Sequence, residues 1–184
     1  MKFMGIDQAL ETTGVCVLAE KTPRPVELSV IDAKNYRGSE RLAYIYLETL
    51  KLLKKHQPTL VAIEGYAYGA TGRVFELGEV GGVVRMSLAQ QEIPFVAVAP
   101  ASLKQFVSGR GGANKRDMRV AILSTWDLDI DEDNKADAYG LAQVAKALVH
   151  GGQRRCELTV LSKLTAKHFS ERGLDLINSL TNSK

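Results

Sequence analysis

The chain has 184 residues, a length that fits one ordinary domain with room for an appended segment. Hydrophobic residues at 45% and charged residues at 24% exclude a wholly disordered or fibrous chain, and a net charge of +3 does not by itself announce a polyanionic partner. No apolar run approaches the roughly 20 residues that span a bilayer. The expected setting is therefore the cytoplasm, away from membranes, with Cys16 and Cys156 as reduced, unpaired thiols.

Taken in chain order, residues 2–6 read as a short buried strand ending at Asp7. Residues 13–19 read as a second strand, in which Gly14 permits close backbone approach, and residues 26–31 as a third after Pro23 and Pro25. Short polar turns between these runs predict an antiparallel meander. Ser39 is a candidate N-cap for a helix through Lys55, and Pro58 marks its exit. Residues 60–63 form a fourth strand buried on both faces and ending at Glu64; a glycine-rich loop from Gly65 to Gly72 follows. A long helix is expected from about Arg73 to Gln91, with Gly78, Gly81 and Gly82 as places of close packing. Residues 95–98 are the fifth strand, Pro100 suits the first position of a helix, and Asn114 caps another through Trp126. The last core helix runs from near Asn134 to about Val149 and stops at Gly151-Gly152. The expected fold class is α/β, a five-stranded mixed β-sheet flanked by helices.

Three acids carry the chemistry. Asp7 and Glu64 each end an apolar strand. Asp137 lies four, seven and eleven residues before Leu141, Val144 and Leu148, on the core-facing stripe of its helix. Uncompensated carboxylates against a core are costly, and a hard divalent cation such as Mg²⁺ compensates them while keeping waters for substrate phosphates. Asn134 points the same way as Asp137 and is a candidate neutral ligand; Asp133 is a candidate carboxylate at the site's edge. The run from Asp127 to Asp133 is no calcium loop, because counting from Asp127 places Glu132 where that loop needs Gly and Ala138 where it needs Glu. Residues 100–120 hold Lys104, Arg110, Lys115, Arg116 and Arg119 against the single acid Asp117. A basic segment beside an acidic metal site suits an enzyme of the phosphate backbone.

Gly5-Ile6-Asp7 followed by Thr13-Gly14-Val15, Ala62-Ile63-Glu64, and Leu77-Gly78 with Gly81-Gly82-Val83 resembles the RuvC family of Holliday junction resolvases. The resemblance continues through residues 101–107, Gly112-Ala113-Asn114-Lys115 and Lys135-Ala136-Asp137-Ala138. It implies an RNase H-like nuclease domain over residues 1–150, a homodimer, and two divalent metals (Mg²⁺ or Mn²⁺) per active site. It also implies paired nicks in branched DNA, chiefly four-way junctions. By position, Asp7, Glu64 and Asp137 match the family's metal-binding acids, and Lys104 and Lys115 its basic residues near the scissile phosphate. Asn134 departs from the acid or histidine usual there. Ala67 stands where the family tends to carry an aromatic, flanked by Tyr66 and Tyr68, either of which is placed to stack on an unpaired base. Arg73, Arg110, Arg116 and Arg119 are the expected DNA-binding cations. These departures fit a phage-type member with relaxed branch specificity, which would act in a host cytoplasm. Residues 151–184 remain a basic tail, with one further helix at about residues 174–180 or a largely mobile course.

Three rival readings are weaker. Thr12-Thr13-Gly14 after Asp7 resembles the first phosphate loop of actin-like and sugar-kinase ATPases, but the chain has no Asp-x-Gly for the second. An RNase H-type nuclease on RNA–DNA hybrids, or a non-catalytic branched-DNA-binding module, are the nearer alternatives.

Overall fold

In the computed structural model, which describes residues 1–66 and 73–181, short apolar runs, most of them buried on both faces, build one mixed sheet. Strands β1 (Lys2–Asp7), β2 (Thr12–Ala19) and β3 (Pro25–Asp32) form the expected antiparallel meander. β4 (Leu60–Glu64) pairs parallel to β1, and β5 (Phe95–Val98) parallel to β4, giving the order β3-β2-β1-β4-β5. Parity then divides the core. Met4, Ile6, Val61 and Ile63 face helices α1 (Gly38–His56) and α2 (Val74–Gln90). Phe3, Leu60 and Ala62 face the other way, towards α5 (Asp133–His150), α3 (Pro100–Ser108) and α4 (Lys115–Trp126).

Helix α5 lies unusually close to the sheet because two strand residues have no side chain. A Cβ on Gly5 would stand 2.0 Å from the Ala138 carbonyl oxygen, and one on Gly14 would stand 2.1 Å from the Asn134 carbonyl oxygen. Both substitutions would push the helix outwards.

The helix starts follow local chemistry in α3, where Pro100 sits in the first turn, and in α4. There Asn114 accepts from the Asp117 amide while the Asp117 side chain accepts from the Asn114 amide, a reciprocal cap. Ser39 is not the cap of α1. Arg37 holds the extended cap conformation without a side-chain hydrogen bond, and Ser39 lies within the helix. The glycine-rich loop expected at 65–72 falls mostly on residues 67–72, outside the described residues.

The segment after Gly152 carries the helix expected at about residues 174–180, with two further short helical elements before it. It forms α6 (Arg155–Leu161), a 3₁₀ turn (Ala166–His168) and α7 (Glu171–Thr181). Arg154 fastens it: its guanidinium donates to the Phe106 and Val107 carbonyls at 2.9 Å each, pairs with Glu157 at 2.6 Å, and lies over the Trp126 ring. Phe169 bridges to Val96, and Ser170 bonds Phe95 through both backbone and hydroxyl. These contacts are non-local, which is why no periodicity announced them.

Candidate active site

The register of the sheet fixes the first two acids. Ile6 pairs with Ile63, so Asp7 and Glu64 follow side by side at the ends of neighbouring parallel strands. Two residues on from Gly5 and Ala62 respectively, both point to the α5 face. Gly14 lies directly across from Asp7, and the close seat of α5 over Gly5 and Gly14 brings Asp137 within electrostatic reach of both acids. The turn that presents Asp7 is tied by the Thr13 hydroxyl, which donates to the Ala9 carbonyl and accepts from the Ala9 amide.

Asp7 is 5% exposed. Burial, then the charges of Glu64 and Asp137, push its pKa well above the ordinary carboxylate range. Burial and Asp137 push Glu64 up to about 7, against the lowering effect of Lys104. Asp137 rises to about 6, chiefly through burial, while Lys104 and Lys115 pull it back and Asp133 adds to the rise. Three acids are thus forced into one another's fields at the edge of the core, with two lysines as the nearest compensation.

Among the described residues, no three His, Cys, Asp or Glu side chains converge tightly enough to form a ready-made metal cage. The donor set nevertheless fits a hard cation. Its members are carboxylates, each held above its ordinary pKa by burial and raised further by a neighbouring acid, the situation a divalent ion relieves. Gln8 braces the two strand ends. Gln8 donates from Nε2 to the Glu64 carbonyl at 2.6 Å, locking the two strand ends together, while its Oε1 is buried with no hydrogen-bond partner among the described residues. Gln8 was missed in the sequence. The available signal was a polar residue directly after the strand's terminal acid.

The remaining expected residues divide. Lys104 on α3, and Lys115 with Asp133 and Asp137, line one cleft together with Met118 and Ala136. Asn134 turns its amide nitrogen to Thr12, donating to the carbonyl at 2.7 Å and to the hydroxyl, so it staples α5 to β2. Asp133 is paired with Lys115 at 2.9 Å and with Arg119 at 3.8 Å. Of the other cations, Arg73 pairs with Glu76 and Glu11, and Arg110 with Asp117; Arg119 also donates to the Asp131 carbonyl. All three keep substantial exposure, and Arg116 is exposed. Tyr66 is half-exposed, with Arg85 over its ring at 4.5 Å. Tyr68 lies outside the described residues.

The family model described as Crossover junction endodeoxyribonuclease RuvC matches residues 3–150, the stretch that carries all three acids and both lysines. The chain belongs to the RuvC family. A RuvC of Prochlorococcus marinus (strain AS9601) is 29% identical over 147 residues, covering 77% of this chain and 94% of the relative. One from Acidobacterium capsulatum is 33% identical over 133 residues, covering 66% and 78%. The solved Thermus thermophilus RuvC superposes with a TM-score of 0.70 at 24% identity, over 82% of this chain and 97% of that one. The same enzyme in complex with a Holliday junction substrate gives 0.67 at 23% identity, over 77% and 90%. These structural likenesses establish the shared RNase H-like fold. RuvC enzymes are metal-dependent nucleases, in keeping with a crowded acid cluster. No helix among the described residues is long and apolar enough to cross a membrane.

Proposed function

We propose that this protein is a divalent-metal-dependent endodeoxyribonuclease that resolves four-way DNA junctions by paired nicks. The observation that carries the reading is the convergence of Asp7, Glu64 and Asp137 beside Lys104 and Lys115 in a RuvC-family chain. Asp7, Glu64 and Asp137 would hold two Mg²⁺ or Mn²⁺ ions. Bound there, such ions would supply Lewis-acid chemistry for activating a water and offsetting the charge of the phosphate and the leaving oxygen. Lys104 and Lys115 place fixed positive charge where the phosphate gains negative charge in the transition state. Gln8 holds the Glu64 end of β4 against the Asp7 end of β1, so the two carboxylates keep their spacing.

A homodimer is part of the proposal. Helix α2 presents Val74, Phe75, Leu77 and Met86 to solvent, with Phe75 90% exposed, and no described atom lies near the open sides of Gly78 and Gly82. An apolar helix face with small residues suits a two-fold contact, which would offer two equivalent sites to a pseudo-symmetric junction. Tyr66, Arg73, Arg110, Arg116 and Arg119 are proposed to contact branched DNA, and the site of action is the cytoplasm. The test is cleavage of a synthetic four-way junction beside linear duplex and an RNA–DNA hybrid. Symmetric paired nicks in the junction support the reading. Cleavage of the hybrid alone moves the enzyme to the RNase H class, and binding without cleavage makes it a recognition module.

A further inference from the structure

Asp133 is the first residue of α5, one turn before Asp137 and on the same side of the helix. A metal ligand at that position would have to share its carboxylate with two cations. Oδ2 stands 2.9 Å from Lys115 Nζ and Oδ1 stands 3.8 Å from Arg119 Nε. Arg119 is in turn anchored by its 2.8 Å bond to the Asp131 carbonyl, so the cationic side of the arrangement is braced from the loop before α5. Lys115 is the first residue of α4, whose start is set by the reciprocal Asn114–Asp117 cap. Its side chain is 77% exposed, and Asp133 supplies its only ion pair among the described residues. The same ammonium also acts electrostatically on Asp7 and Asp137.

We infer that Asp133 is a positioning residue for Lys115, holding that ammonium beside the Asp7–Glu64–Asp137 cluster, and is not a metal ligand. The inference rests on the nuclease reading of the site given above. A lysine has a long flexible stem, and alone in solvent it would spend little of its time where a phosphate meets the acids. A short ion pair from the neighbouring helix restricts that stem. It also ties the N-terminus of α4 to that of α5, so Lys115 is placed relative to Asp137 and not merely relative to its own helix. An arriving phosphate takes over part of the pairing, since a lysine ammonium has three donors.

The test uses the full protein on a four-way junction, with Asp133→Asn, Asp133→Glu, Lys115→Met and the double variant Asp133→Asn/Lys115→Met. Asp133→Asn should lower kcat about 10-fold, with KM little changed, as expected when a catalytic group is misplaced by an ångström or less. The double variant should be no slower than Lys115→Met alone, and Asp133→Glu should recover part of the rate. Mn²⁺ binding, read by electron paramagnetic resonance without DNA, should be unchanged in Asp133→Asn and lost in Asp7→Asn. Weaker Mn²⁺ binding in Asp133→Asn, or losses that multiply in the double variant, would overturn the inference while leaving the nuclease reading intact. No junction cleavage by the unmodified protein would defeat the nuclease reading and the inference with it.

Discussion

Replacing Asp7 with Asn removes a buried charge that the rest of the fold does not want, and the two consequences run in opposite directions. Junction cleavage should fall by at least about 10³-fold, because one of the three carboxylates proposed to hold the metal is gone. Metal-free stability at pH 8 should rise by about 1–3 kcal/mol, because an uncompensated buried carboxylate has been neutralised. Thermal melts of the two proteins in EDTA check the second point. The acid cluster also sets a pH dependence. A carboxyl whose folded pKa is raised contributes stability that is complete below its unfolded value, near 4, and lost as pH rises through its folded value. With Asp137 at about 6 and Glu64 at about 7, the metal-free protein should lose on the order of a few kcal/mol between about pH 4 and pH 8. Mg²⁺ should restore most of that loss at pH 8 and little at pH 5. An equal Mg²⁺ effect on the melting point at both pH values would contradict the coupling.

At the scale of the elements, the site depends on how near α5 comes to β1 and β2. Gly14→Val should lower cleavage and stability together, by about 3 kcal/mol or more, since a side chain there meets the Asn134 backbone and cannot be relieved by a rotamer change. Urea unfolding measures it. Helix α2 carries a separable prediction. Phe75→Asp should leave the monomer folded, because the residue is 90% exposed, yet shift sedimentation to a monomer and convert paired nicks to single ones. The strands and helices that build this frame were legible within a residue or two. β1 and β4 are buried on both faces and so read as continuous apolar runs, each stopped by its acid. Asp137 was legible as an acid on a buried stripe. Asp133 and Asn134 were not, because their partners Lys115 and Thr12 are brought to them only by the packing of α4 against α5 and of α5 against β2. Gln8 escaped for the same reason: its bond to Glu64 crosses between strands far apart in the chain.

At the scale of the whole molecule, the segment after Gly152 was the least legible part. α6 is two turns long, too short to show a period, and it is secured by the buried Val160 together with a guanidinium reaching two carbonyls on α3. Arg154→Ala should therefore cost about 2–4 kcal/mol, far more than an exposed arginine would, by removing the ion pair of the buried Glu157 and the guanidinium bonds to two α3 carbonyls. Under the proposed function, the acids, the two lysines and the exposed α2 face act together in metal-dependent cutting of DNA that presents two equivalent strands. The most direct measurement is Mg²⁺-dependent cleavage of a synthetic four-way junction, with linear duplex and an RNA–DNA hybrid alongside and Asp7→Asn as control. Symmetric paired nicks in the junction, absent without Mg²⁺ and absent in Asp7→Asn, are the predicted result. Cleavage that survives Asp7→Asn, or that falls equally on linear duplex, would contradict it.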